Sequence, residues 1–139
     1  MFNPDLSLEA LNAFSADTLV SHLGIEFTEI GPDFMRARMP VDSRTVQPFR
    51  MLHGGASVSL AETVGSVASF ALLDPATQTG VGLEINANHL RPVRAGYVTA
   101  TARALHIGRR THVWDIRIVD DEERLVCVCR FTVAIVKRG

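Results

Sequence analysis

Residues 54–72 contain a single ionisable side chain, and this stretch constrains the fold more than any other part of the chain. Apart from Glu62 it consists of Ala, Val, Leu, Ser, Thr, Gly and Phe, all of them apolar or small. Such a composition predicts one helix that is buried on most of its sides. The segment is too short, and too rich in Ser and Gly, for a transmembrane helix.

The isolated carboxylate of Glu62 needs a partner or a function. Burial without a partner costs several kcal/mol or forces protonation, and no Lys or Arg lies at helical spacing from it. Ser59, Ser66 and Ser69 lie at i−3, i+4 and i+7 and would form a polar stripe with it. Two interpretations stay open on this pattern: a structural Glu satisfied by hydroxyls, or a general base or nucleophile in a partly dry cleft.

The start of the helix, at His53, Gly54 and Gly55, could stabilise an oxyanion. The first N–H groups of a helix have no internal partner and lie at its positive end. Glycine at this position lets a ligand approach the backbone closely. A glycine pair at a helix start can also serve only the backbone geometry of the turn. Gly54 and Glu62 are about 12 Å apart along a helix axis. One carbonyl cannot contact both in one chain, so the spacing predicts a dimer of antiparallel helices with two equal, shared sites.

Size and composition limit the class of protein. A chain of 139 residues fits a single domain, 1–139, with a real core. Its net charge of −1 disfavours a nucleic-acid partner, and the N-terminus lacks the basic and apolar pattern of a signal peptide. Cys127 and Cys129 suit neither a disulfide framework nor a zinc site, and the five histidines lack metal-ligand spacing. We expect buried thiols, no metal, no membrane partner and a cytoplasmic location.

The hydrophobic pattern predicts an α+β fold in which an antiparallel β-sheet wraps around one long central helix. The last predicted strand is so apolar that we expect it to be covered on both faces. The predicted elements are short helices at 6–14 and 17–23, a hairpin of 25–30 and 34–41, a loop at 42–52, the central helix, and strands at 81–90, 96–107, 111–119 and 125–136.

Three segments resemble the hot-dog-fold acyl-CoA thioesterases, in particular their phenylacetyl-CoA thioesterase-like branch. They are LHGGASVSLAETVGSVAS, VGLEINANHLRPVRAGYV and LHIGRRTHVWDIRIVDDEERLVCVCR, which together cover most of the chain. The resemblance implies a hot-dog fold and a homodimer built on paired central helices. It also implies a homotetramer made of two dimers.

The resemblance also implies catalytic roles. Glu62 would be the catalytic carboxylate, acting as nucleophile or as general base. The Gly54 N–H and the Gln47 side chain would polarise the thioester carbonyl. His53 would orient the acyl group or assist the leaving thiolate, and Ser66 would position water.

Binding residues follow from the same resemblance. Coenzyme A is part of the substrate, so no separate cofactor is expected. The acyl pocket would be apolar and formed by Phe49, Met51, Leu52, Val67 and Phe70. Contacts to coenzyme A would come from Val81, Gly82, Asn88, His89, Leu90, Arg91, His106, Gly108, Arg109 and Arg110.

The predicted activity is hydrolysis of acyl-CoA, with aromatic acyl groups favoured. Thiolate is a good leaving group, so a carboxylate and two hydrogen-bond donors suffice for hydrolysis without a metal. The chain also lacks the G-x-S-x-G motif that would indicate a serine nucleophile. Two alternatives remain: an acyl-thioester hydratase or dehydratase of the same fold, and a non-catalytic acyl-CoA sensor.

Overall fold

The computed structural model describes residues 1–139 and contains three helices and six strands. The elements follow the predicted order, and their ends differ from the predicted ones by a few residues. They are α1 (Leu8–Phe14), α2 (Leu19–His22), β1 (Glu26–Ile30), β2 (Phe34–Pro40), α3 (Gly54–Phe70), β3 (Gln78–His89), β4 (Tyr97–Ile107), β5 (Thr111–Val119) and β6 (Leu125–Lys137).

All six strands form one antiparallel sheet in the order β1-β2-β4-β5-β6-β3. Helix α3 packs against β2, β3, β4, β5 and β6, so the sheet curls around it as predicted. No helix of the chain is both long enough and apolar enough to cross a membrane.

Helix α3 is buried on most of its sides, as predicted: only Gly55, Ser66 and Phe70 of its residues are exposed. Its buried face includes Leu60, Val64 and Gly65. A Cβ on Gly65 would lie 2.6 Å from Cδ2 of Phe131, so glycine permits this close helix–sheet contact. The opposite side, which carries Ser66 and Phe70, remains exposed.

Two serines of the predicted polar stripe on α3 bond groups other than Glu62. The Ser59 hydroxyl donates to the Gly55 carbonyl over 2.9 Å. Ser69 is fully buried; its oxygen accepts the Trp114 Nε1–H over 2.7 Å and lies 3.0 Å from Nδ1 of His112. Burial lowers the pKa of His112, and nearby His106 lowers it further. Ser69 therefore stabilises the core.

Strand β6 lies between β5 and β3, but the prediction that both of its faces are covered is wrong for the single chain. Its side chains alternate between buried and more accessible positions. Phe131 and Val133 face the core, whereas Arg130 is exposed. A dense apolar composition therefore does not imply burial on both faces.

The N-terminal segment is anchored to the rest of the chain. Ser7 caps the start of α1, since its Oγ accepts the Ala10 N–H over 3.1 Å. The Asn12 side chain donates to the Phe27 carbonyl over 3.1 Å and accepts the Phe27 N–H over 2.8 Å. These two bonds fix α1 to β1.

Candidate active site

The loop before α3 orients the Gln47 side chain. Its backbone forms a tight turn, in which the Arg50 N–H donates to the Gln47 carbonyl over 2.8 Å and Arg50 has a φ of 65°. The Gln47 side-chain oxygen accepts the Phe49 N–H. A backbone N–H can only donate, so the amide oxygen must face it and the Gln47 NH₂ group remains available as a donor.

The first turn of α3 offers a second donor. The Gly54 N–H begins the helix and has no acceptor within the chain. His53 caps the helix: its Nδ1 accepts the Gly55 N–H over 2.8 Å, which places the proton of the neutral ring on Nε2. The Gly54 N–H is thus a free donor at the positive end of the helix.

These two donors line one cavity of about 330 Å³, which we call the Gly54 cavity. A Cβ on Gly54 would lie 3.0 Å from Nε2 of His89, so only glycine leaves the backbone fully accessible beside that ring. Seven predicted site residues meet here. The complete lining is Gln47, Met51, Leu52, Gly54, Ser57, His89, Leu90, Arg91, Pro92 and Val126.

His89 also contacts the cysteine pair, although 38 residues separate it from Cys127 in sequence. The register of β3 and β6 pairs His89 with Cys127 and brings Nδ1 to 3.6 Å from its Sγ. The two thiols are buried as predicted, with their sulfurs 3.7 Å apart. The hydrogen bond to Cys127, together with burial, raises the pKa of Cys129.

Glu62 lies half-buried in the middle of α3 and takes part in none of the seven ion pairs. Its carboxylate lies against β3: a Cβ on Gly82 would be 2.7 Å from Oε2. The ladder between β3 and β6 shifts register directly after Gly82, and such irregularities are frequent beside active sites. Gly82, predicted as a contact to coenzyme A, is therefore a neighbour of the carboxylate in the same chain.

Glu62 does not line the Gly54 cavity. Residues after it on α3 line another cavity, of about 470 Å³, between α1 and α3, which we call the α1–α3 cavity. Gln47 and Gly54 thus lie apart from Glu62 and Ser66 in one chain, as expected from the spacing of Gly54 and Glu62. The α1–α3 cavity is lined by Leu6, Ala10, Leu11, Phe14, Ser15, Ser66, Val67, Phe70 and Gly80.

The predicted acyl-pocket residues do not form a single pocket in one chain. Met51 and Leu52 line the Gly54 cavity, whereas Val67 and Phe70 line the α1–α3 cavity. Phe49 is 79% exposed and lines neither of them.

The predicted contacts to coenzyme A are spread over the surface. Arg91 lines the Gly54 cavity, whereas Arg109 and Arg110 line a third cavity of about 550 Å³ together with Lys137. None of these four cations takes part in an ion pair. Val81 and Asn88 on β3 are exposed, as is His106, whose ring lies over Gly108.

Sequence reasoning missed two parts of the site. Buried Ser57 lies one turn after Gly54 on the same face of α3, and this spacing could have revealed it. The contribution of α1 to a cavity carried no signal, because its leucines only indicated an amphipathic helix.

Comparison with known proteins identifies the family. The thioesterase superfamily matches residues 49–127. The chain is 53% identical over 130 residues to 1,4-dihydroxy-2-naphthoyl-CoA hydrolase of Escherichia coli K12, covering 94% of this chain and 95% of that one. It is 50% identical over 130 residues to the proofreading thioesterase EntH of Cronobacter turicensis, covering 94% of each.

A solved structure agrees with this assignment. A thioesterase of Haemophilus influenzae superposes with a TM-score of 0.95 at 50% identity, covering 98% of this chain and 94% of that one. The predicted α+β arrangement is confirmed as a hot-dog fold. The chain therefore belongs to the thioesterase superfamily and is a thioester hydrolase.

Proposed function

We propose that this thioesterase hydrolyses acyl-CoA, with aromatic acyl groups favoured, in a site shared between two chains. The observation that carries the proposal is the separation of complementary groups within one chain. Two free donors, the Gly54 N–H and the Gln47 NH₂, share a cavity with Arg91. The unpaired Glu62 carboxylate lies outside that cavity, eight residues along the same helix.

Strand β3 supports the dimer. It is a 12-residue edge strand that pairs only with β6, and Val81 and Leu83 on it are 50% and 62% exposed. A long edge strand presents a row of unpaired N–H and C=O groups, which is a template for pairing with another chain. Antiparallel pairing of two β3 strands about a two-fold axis would also set the two α3 helices antiparallel. Gly54 of each chain would then face the other chain's Glu62.

The proposed chemistry uses three groups. The Gly54 N–H and the Gln47 NH₂ donate to the thioester oxygen and stabilise the negative charge that develops on it. Glu62 either attacks the carbonyl carbon, forming an anhydride that water then hydrolyses, or removes a proton from water that attacks directly. The C–S bond breaks, and the thiolate takes a proton to give coenzyme A and a carboxylic acid. Ser66, one turn after Glu62, positions the water, and His53 supplies Nε2–H near the leaving group.

Binding of the coenzyme A portion rests on the unpaired cations. Arg91, Arg109 and Arg110 have no carboxylate partner and are free to bind phosphate, which Arg can do through two parallel hydrogen bonds. The name of the Escherichia coli relative makes 1,4-dihydroxy-2-naphthoyl-CoA one candidate substrate.

The homotetramer remains a prediction. Measuring the mass of the protein assembly in solution would test it.

Release of free thiol from a panel of acyl-CoAs tests the proposal, with wild type and Glu62→Gln compared side by side. Glu62 makes no ion pair, so the variant should fold, and its loss of activity should be roughly 10²–10⁴-fold. A folded wild type that releases no thiol from any acyl-CoA would contradict the proposal. Crotonyl-CoA belongs in the panel, because loss of its enoyl absorbance without release of free thiol would instead indicate a hydratase.

A further inference from the structure

The α1–α3 cavity is an apolar cavity that the proposed chemistry does not yet use. Its volume is about 470 Å³, and no charged side chain lines it. Two walls form it, one from α3 through Val67 and Phe70 and one from α1 through Ala10 and Phe14. It can therefore accommodate an uncharged, apolar group of considerable size.

The cavity begins close to the Glu62 carboxylate. Ser66 and Val67 follow Glu62 by four and five residues, about 6–7.5 Å along the helix axis. Gly80, which also lines the cavity, lies two residues before Gly82 on β3, the residue against which Oε2 of Glu62 packs. An acyl group whose carbonyl carbon lies at Glu62 would thus reach the cavity within one helical turn.

The α1 wall is held in place by hydrogen bonds at several points. Asn12 joins α1 to β1 through both of its side-chain polar groups. Ser7 caps the start of the helix. The Asn3 N–H donates to the Ala71 carbonyl over 3.0 Å, which anchors the preceding segment at the end of α3. A wall fixed in this way can set the size of a bound group.

We propose that α1 forms the distal wall of the acyl-binding pocket and that Ala10 and Phe14 determine which acyl groups fit. The inference rests on the proposed function, because it assumes that Glu62 attacks an acyl thioester. It assigns the acyl group to the chain that supplies Glu62, and it predicts an uncharged, bulky acyl group. An acyl chain ending in a carboxylate would be rejected, since no cation lines the cavity to pair with it.

Two variants on the same helix test the proposal. Both Ala10 and Ala13 are exposed, but only Ala10 lines the cavity, so Ala10→Phe places a ring in it and Ala13→Phe adds the same ring outside it. Thiol release is measured for wild type and both variants with butyryl-CoA, benzoyl-CoA, 1-naphthoyl-CoA and glutaryl-CoA, with thermal unfolding as a check of folding. Ala10→Phe should lower kcat/KM for 1-naphthoyl-CoA by about tenfold or more relative to butyryl-CoA. Ala13→Phe should keep the wild-type ranking, and glutaryl-CoA should be the poorest substrate throughout.

The outcomes separate this proposal from the proposed function. A wild type that hydrolyses the panel, combined with an Ala10→Phe variant whose ranking matches that of Ala13→Phe, would overturn the role of α1 alone. A folded wild type that hydrolyses none of the four thioesters would overturn both proposals. If Ala10→Phe does not fold, Ala10→Leu places a smaller group at the same position, and an unchanged ranking there would equally count against the α1 wall.

Mixed dimers test whether the acyl group belongs to the chain that supplies Glu62. In a dimer of a Gly54→Pro chain and a Glu62→Ala chain, the only complete site takes Glu62 from the Gly54→Pro chain. Ala10→Phe added to that chain should depress naphthoyl hydrolysis, whereas Ala10→Phe added to the Glu62→Ala chain should not. Equal effects from the two placements would refute the assignment.

Discussion

Replacing Gly82 with Ala should disturb catalysis by displacing the Glu62 carboxylate. The added Cβ would lie 2.7 Å from Oε2 of Glu62 and 3.2 Å from two ring atoms of Phe131. An ordinary van der Waals contact begins at 3.4 Å, so the carboxylate must move by about 0.7 Å. It is the free end of a flexible side chain, whereas the Phe131 ring is fully buried and can give way only slightly.

The expected effect on activity exceeds the effect on stability. A misplacement of 1 Å in an active site can cost about 100-fold, so kcat should fall by roughly 10- to 100-fold. Overpacking a core costs about 1–3 kcal/mol. We expect the lower end of that range, because most of the clash falls on the carboxylate.

A double-mutant cycle with Glu62→Ala shows whether the loss acts through the carboxylate. Steady-state thiol release is measured for wild type, Gly82→Ala, Glu62→Ala and the double variant, with urea unfolding for each. Gly82→Ala should cost little further activity once Glu62 has been removed. The same fold-loss in both backgrounds would refute the reasoning, as would full activity of a folded Gly82→Ala protein.

Two further predictions concern the start of α3 and the core histidine. Gly54→Pro removes the backbone N–H, whereas Gly54→Ala keeps it and adds the same Cβ near His89. We therefore expect kcat to fall about 10²–10³-fold more in the Pro variant than in the Ala variant. Equal losses of kcat in the two variants would argue against an oxyanion donor at Gly54. The pKa of His112 is lower in the folded protein than in the unfolded chain. As the pH falls, His112 therefore binds a proton in the unfolded chain at a higher pH than in the folded protein. The free energy of unfolding should decrease as the pH falls through and below about 6.5. Urea unfolding at pH 7.5 and 5.5 measures this effect. The free energy of unfolding should change less between the two pH values in His112→Gln than in wild type or in a His22→Gln control. The same change in all three proteins would assign the effect to other groups.

The main elements could be predicted from the sequence because their patterns are local. The charge-poor run of α3 and the alternating strands carry their own signal, and helix spacing alone indicated that Gly54 and Glu62 would not share a cavity in one chain. The start of β3 was predicted three residues late. Gln78, Thr79 and Gly80 have no hydrophobic pattern and join the strand only by pairing with β6.

The parts of the site that could not be predicted depend on tertiary contacts. The proximity of His89 and Cys127 follows from the register of β3 and β6, two strands that β4 and β5 separate in sequence. The place of Ser69 beneath Trp114 depends on which helix face meets the sheet. The contribution of α1 to a cavity depends on hydrogen bonds between Asn12 and Phe27, which no local pattern encodes.

Complementation between two inactive chains tests the shared site most directly. Gly54→Pro should fold, because proline is tolerated at the first helical position and the preceding His53 already has extended backbone angles, φ −69° and ψ 131°. Gly54→Pro and Glu62→Ala chains are mixed in equal amounts under conditions that exchange subunits, and native mass spectrometry measures the mixed dimers. Half of the dimers would be mixed, each with one complete site, so the mixture should recover about a quarter of wild-type thiol release. Mixed dimers that are demonstrably present yet as inactive as each parent would contradict a site built from Gly54 of one chain and Glu62 of the other.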